Sequence, residues 1–414
     1  MNTSLQTIQG GTRLVFDSVE GITNTVERMH ESIAATPFAL VPASLRPNRA
    51  HGPIAAAVYT IIRAINGGLR TGVDSSFALL PQTLRQAGGS AAETRVVAAL
   101  NGVFGDHLEA SGNTLATPMS LRAEGRALEL ERAALAQALP EASGHIVVLV
   151  HGLSLSDLSW HRKGRPSIGD RLRDELGYTP LYLRYNTGRH ISSNGQQFAQ
   201  LLQQLFNAWP VPVQSVSLVG HSMGGLVIRS ACCYAQREQL PWLPLLRRVA
   251  CLGTPHHGSP LEKAGHAFES AMQKIPHAEP MLLGRLRSAG IKDLRHGSLL
   301  DEDWREHHPH GPGRDTRTVV PLVAGVDYYF AAASLGRHAS DPLGHLLGDL
   351  LVRHDSAVGV HKDELRRLHI RPENCRVFHE KNHFDLLDDS RVQQQMIDWF
   401  SGCQIQPNFI QTQP

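Results

Sequence analysis

A chain of 414 residues is too long for one small domain, and one large domain plus an appendage is the expectation. A formal net charge of +2, with 42% hydrophobic and 19% charged residues, describes a globular protein; it argues against a disordered chain and against a nucleic-acid partner. Five cysteines, an odd number with Cys232 and Cys233 adjacent, argue against a disulfide framework and point to a reducing, cytoplasmic setting. The N-terminal stretch MNTSLQTIQGGTRLVFDSVEG lacks the basic start and apolar core of a signal peptide. The longest near-apolar run, Pro53 to Ile62, is too short to span a bilayer and is followed by Arg63.

In chain order, residues 1–142 read as a helical N-terminal region with no strand pattern. Ile22, Val26, Met29 and Ile33 recur at helical spacing, and residues 91–108 and 121–139 read as further helices. Pro37 to Pro53, Gly88-Gly89 and Gly112 to Pro118 punctuate them. These helices are expected to pack on the rest of the chain. A partner or peripheral contact with a lipid surface is the alternative, which the lack of a Lys/Arg-rich polar face weakens.

The pattern changes at residue 143. His145 to Val150 is a continuous apolar run, as for a strand buried on both faces. Pro180 to Gly188 reads as a second strand, Asn194 to Trp209 as a helix, and Val213 to Val219 as a third strand running into LVGHSMGG. A helix follows. Arg247 to Ser259 is a strand and loop, Thr318 to Phe330 and Cys375 to Asp385 are two more strands, and RVQQQMIDWFSG is a closing helix. Strands alternating with helices over residues 143–403 imply a mostly parallel sheet flanked by helices, with 404–414 as a tail. Residues 260–317 are too long for an ordinary connection and read as a lid insertion carrying short amphipathic helices at HAFESAMQKI and MLLGRLRSAGIKDL.

Gly220-His221-Ser222-Met223-Gly224 carries the chemistry. A serine hydroxyl is a poor nucleophile until a base takes its proton. A sharp strand-to-helix turn lifts Ser222 clear of the strand, and glycines at 220 and 224 let strand and helix approach closely. The helix start offers the Met223 N–H to a developing oxyanion, and the loop VHGLS offers the Leu153 N–H as a second donor. The base is expected late in the chain, at His383 in EKNHFDLLDD. His256 and His257 are expected to shape the pocket floor or the base of the lid, and His151 to bond locally. The cluster His307 to His310 matches no zinc spacing, so no metal is expected there. Asp388-Asp389 reads as charge at the start of the final helix, and Cys232 and Cys233 as packing residues.

VHGL, GHSMGG, LGTPHHGSP and NHFDLL, in this order, resemble the α/β-hydrolase superfamily, and within it bacterial lipases and esterases and inositol-deacylase-like serine hydrolases. The resemblance spans about Gly144 to Gly402. It implies an α/β-hydrolase fold with a lid, a Ser–Asp/Glu–His triad in chain order, and an oxyanion hole from Leu153 and Met223. In several bacterial lipases an acidic residue two positions after the histidine helps hold a structural calcium; Asp385 has that place, but no second ligand is evident and no ion is expected. In this fold the triad acid follows the strand TVVPLVAGV and precedes His383, which leaves Asp327, Asp341, Asp349, Asp355 and Asp363. Related lipases carry the acid in a D-G-x-V segment. GDLLVRHDSAVG resembles it with Asp349 as the acid, although Leu350 stands in place of the glycine. Leu343, Leu346, Leu347, Leu350 and Leu351 also fit one helix face, which would put Asp349 on a solvated side and leave Asp355 either as the acid or as a cap of the next helix. The expectation is a serine hydrolase that needs no cofactor and cleaves small-molecule or lipid-like carboxylic esters, with hydrophobic acyl groups favoured. The alternatives are an amide hydrolase or acyltransferase using the same triad, or a non-catalytic lipid-binding scaffold.

Overall fold

The computed structural model describes residues 10, 13, 91–161, 165–259, 288–305, 316–336, 349, 352 and 354–402. The helix expected over residues 21–38, the segment HAFESAMQKI of the lid, Asp341, the leucine face starting at Leu343, the His307 to His310 cluster and the 404–414 tail lie outside them.

The chain forms two units. The first comprises residues 1–97 and 108–116. Within it Leu108 and Leu115 are buried, and Asn113 donates from Nδ2 to Gly10 O (3.1 Å) while its Oδ1 accepts the Leu115 N–H. The second comprises residues 98–107 and 117–414.

Helix α1, Ala91–Ala110, gives its middle stretch to the second unit. There Gly102 O accepts from Ser288 Oγ (2.6 Å) and Gly105 O from Asn186 Nδ2 (2.8 Å). Residues 121–139, expected as one helix, instead begin with an antiparallel hairpin. β1, Ser120–Ala123, pairs with β2, Arg126–Ala127, and helix α2 starts only at Arg132 and runs to Ala138. The cause is the two-residue loop Glu124-Gly125, with both residues at positive φ (48° and 77°), the turn geometry that matches strand twist. The sheet therefore begins upstream of the expected boundary at 142/143.

β3, His145–Val150, is followed by helix α3, Ile168–Leu176, and β4, Thr179–Arg184. Helix α4, Ile191–Ala208, leads to β5, Ser215–His221, helix α5, Met223–Arg237, and β6, Leu246–Leu252. Helix α6, Ala289–His296, lies in the described part of the insertion. β7, Asp327–Ser334, β8, Cys375–His379, and helix α7, Ser390–Ser401, complete the chain. The sheet order is β2-β1-β4-β3-β5-β6-β7-β8; the pairs of β1 with β2 and with β4 are antiparallel and all others parallel.

Alternate residues of the central strands serve two cores. Val148, Leu218, Val249 and Phe330 pack with Phe198 and Leu202 of α4 and Leu226 of α5. Val147, Val219 and Ala250 pack on the other face with Leu172 of α3 and Met396 and Phe400 of α7. Both faces being covered, β3 is apolar and buried from Ile146 to Val150, and every residue of β5, its serines included, is buried.

The strand expected from Thr318 begins instead at Asp327. Pro321 removes a ladder donor, Gly325 turns the chain at φ 77°, and side chains take up the preceding backbone. Val320 O accepts from Arg229, and the N–H groups of Thr318 and Val323 donate to Asp303 and the Tyr328 hydroxyl. Among the described residues no helix is long and apolar enough to cross a membrane.

Candidate active site

β5 delivers Ser222 to the start of α5 at φ 54°, ψ −123°, a region that non-glycine residues rarely occupy. The Ser222 N–H donates to Leu252 O (2.8 Å), tying the turn to the end of β6. A Cβ on Gly224 would lie 2.2 Å from Val150 O, and one on Gly220 would lie 2.5 Å from Gly225 N, so the turn requires glycine on both sides of the serine. Ser222 itself is buried to 9% exposure.

His383 opens a short 3-10 turn after β8. Asn382 fixes that turn reciprocally. Its Oδ1 accepts the N–H groups of Phe384 (2.8 Å) and Asp385 (3.2 Å), and Asp385 Oδ2 accepts the Asn382 N–H (2.8 Å). The Asp385 carboxylate is thus engaged as a cap, and among the described residues no three His, Cys, Asp or Glu side chains are grouped to hold a metal ion. The His383 ring lies against the backbone of Gly253, where a Cβ would come within 2.9 Å of Cε1.

His383 Nδ1 and Asp349 Oδ2 are 2.7 Å apart, and both side chains are almost wholly buried. A carboxylate oxygen accepts, so Nδ1 donates; in the neutral ring Nε2 is then the acceptor. That Nε2 is buried and has no hydrogen-bond partner. Asp349 Oδ1 accepts the Val352 N–H (2.7 Å), which holds the carboxylate plane in place. The other acids lie elsewhere. Asp355 is exposed on the one-turn helix His354–Ala357, Asp327 pairs with Arg371, and Asp363 caps the turn at Leu365.

The loop after β3 passes directly beside the serine. A Cβ on Gly152 would lie 2.9 Å from Ser222 Cβ. Tyr185 donates to His151 O (2.8 Å) on one side of Leu153, and Ser154, at φ 59°, donates its N–H to Thr187 Oγ1 (3.1 Å) on the other. Met223 is the first residue of α5, so its N–H has no intrahelical acceptor.

Sequence reasoning did not single out His221, Gly253, Tyr185 or Thr187 as supports of this site. His221 Nε2 lies 3.1 Å from His383 O, and the two rings are 4.7 Å apart. Only His221 carried a local signal, its place inside the glycine turn. His151 stacks on Tyr185 and approaches Gly152 O through Nδ1 (3.0 Å). The backbone N–H groups of His256 and His257 go to Ser356, bracing the residues after Val352. Cys232 is a buried free thiol that burial pushes up to about 12.

Burial pushes His151 down to about 4, and burial pushes His221 and His256 well below the ordinary histidine range. Each binds a proton more readily in the unfolded chain than in the folded one. The stability they contribute is present above the unfolded value near 6.5 and is lost as pH falls toward the folded value. The unfolding free energy is therefore expected to fall steadily as pH is lowered from about 7 to about 5, by up to about 1.4 kcal/mol per pH unit for each histidine, and the urea midpoint with it. A midpoint constant across that range would contradict the neutral, buried state of these rings.

Residues 140–283 match the family model described as "Putative serine esterase (DUF676)". Among solved structures, the chain is similar to the Bacillus licheniformis lipase BlEst2 in mature form (19% identity, TM-score 0.39, 62% of this chain and 91% of that chain). It is also similar to the Pyrococcus furiosus esterase PF2001 (15%, 0.37, 63% and 83%) and to the RedJ thioesterase from the prodiginine biosynthetic pathway in Streptomyces coelicolor (14%, 0.36, 64% and 92%). No curated protein matches the chain. The chain thus combines a mostly parallel eight-stranded sheet flanked by helices, a strand–turn–helix around Ser222 and, over residues 140–283, a match to a serine-esterase family model.

Proposed function

We propose that the protein is a serine hydrolase that cleaves carboxylic esters of hydrophobic acyl groups, with Ser222, His383 and Asp349 as its triad. The observation that carries this reading is the buried His383–Asp349 pair at 2.7 Å, in a chain whose Ser222 sits strained at the tip of β5. Ser222 Oγ attacks the acyl carbonyl while His383 Nε2 takes its proton. The imidazolium so formed is stabilised by Asp349 and returns the proton to the departing alcohol. The N–H groups of Leu153 and Met223 stabilise the tetrahedral oxyanion. Water then repeats the sequence on the acyl-enzyme. Every step uses side chains and backbone of this chain, and no cofactor enters.

The preference for a hydrophobic acyl group is supported by Phe384, which is 41% exposed beside His383 with the two rings edge to face at 5.7 Å. The long insertion of residues 260–317 suits a lid over such a site. The test is turnover of p-nitrophenyl esters of increasing chain length, with and without detergent. Octanoate is expected to exceed acetate by about tenfold or more in kcat/KM, as several buried methylenes add to binding in the transition state. Acetate turned over far better than octanoate would reduce the reading to an esterase of small molecules.

A further inference from the structure

A guanidinium on α5 has no role in the chemistry above. Arg229 is 6% exposed, its Nη2 donates to Val320 O (2.7 Å), and its Nε is buried without a partner. Among the described residues its hydrogen bond is to a backbone carbonyl, and no carboxylate pairs with it. Burial disfavours its charge, yet an arginine stays protonated, so the positive charge remains. Buried charges are ordinarily paired. His256 stands nearby, 2% exposed and stacked on Phe330 at 4.2 Å, with both ring nitrogens lacking partners.

Arg229 and His256 line one cavity of about 370 Å³. Arg317 and Arg366 line it as well, and Glu364 is the one acidic residue among its described walls. Its apolar walls include Leu365 and Val319, which are 77% and 45% exposed. Ser222, His383 and Asp349 do not line it. A cationic interior beside exposed apolar side chains is complementary to a molecule with a charged oxyanion end and an apolar body. A guanidinium presents paired N–H donors to phosphate or carboxylate oxygens, and neutral His256 adds one more N–H.

We propose that this cavity, separate from the serine site, binds an oxyanion, phosphate or carboxylate, carried on an apolar body. The inference goes beyond the ester-hydrolase reading and stands on different residues.

Calorimetric titration of the full chain with decyl phosphate, decanoate, inorganic phosphate and decanol tests it. Decyl phosphate or decanoate is expected to bind about tenfold or more tightly than either inorganic phosphate or decanol, and the tighter of the two names the head group. Leu365→Glu adds a negative charge at an exposed apolar wall. It should leave the thermal midpoint unchanged and weaken the tighter ligand by about tenfold. Arg229→Met keeps the stem and removes the charge, and should weaken binding at least as much. Decanol or inorganic phosphate binding as tightly as the best amphiphile would overturn the proposal. So would unchanged affinity in Leu365→Glu, the result expected if the amphiphile occupied the serine site instead; that readout stands whether or not Arg229→Met folds.

Discussion

Ser222→Ala is expected to fold as the parent does and to lose ester turnover by a factor on the order of 10⁴ or more. The substitution removes one hydroxyl from a residue that is 9% exposed, and alanine bears the same backbone strain at φ 54° that serine does. Stability should therefore hardly change. Ser222→Gly removes the same hydroxyl together with the steric cost of a Cβ at positive φ. It should be equally inactive and more stable by about 1 kcal/mol. Steady-state rates on a chromogenic ester and thermal midpoints of the three proteins check both halves. More than a few per cent of parental turnover in Ser222→Ala would remove Ser222 from the role of nucleophile. A glycine variant less stable than the alanine one would contradict the strained turn.

The second large effect separates two neighbouring acids. Asp349→Asn replaces a carboxylate oxygen 2.7 Å from His383 Nδ1 with an amide that can donate there. The ring then favours the tautomer with its proton on Nε2, which cannot take the serine proton. Turnover should fall by a factor on the order of 10³ to 10⁴. Asp355→Asn alters an exposed side chain and should leave turnover near the parental value. The variants are to be compared at matched fractions folded, because the Asp349 side chain also accepts the Val352 N–H. Near-parental turnover in Asp349→Asn with a dead Asp355→Asn would reverse the assignment.

The central sheet was legible because its chemistry is local. His145 to Val150 is apolar at every position but the first, and the observed strand has those bounds. The elbow was legible because two fixed glycines flank the serine between a β-branched run and a helical one. The hairpin at Ser120–Ala127 is hidden in the sequence because its leucine, alanine, arginine and glutamate residues favour helix. A two-residue turn at Glu124-Gly125 and pairing of β1 with β4 outweigh that propensity. Helix α3 went unread although it carries its own marks. Ser167 and Asp170 form a capping box, and Gly177 closes the helix in the left-handed region. The strand after the insertion was placed too early because Val319, Val320, Leu322 and Val323 look like a strand, whereas the real strand continues through Ala331–Ala333, small residues with little strand signal. The approach of Asp349 to His383 is a contact between residues 34 apart, and no periodicity encodes it. The same holds for the Tyr185 and Thr187 contacts that hold the loop around Leu153, each more than thirty residues away in the chain.

The central claim, that Ser222 is an activated nucleophile, is tested most directly by treating the folded full chain with a fluorophosphonate and locating the adduct by mass spectrometry. The account predicts one adduct per chain, on Ser222 within the tryptic peptide His190–Arg229. It also predicts that the adduct is absent in Ser222→Ala and forms much more slowly in Asp349→Asn. No adduct on the folded protein, or an adduct on another residue that persists in Ser222→Ala, would contradict it.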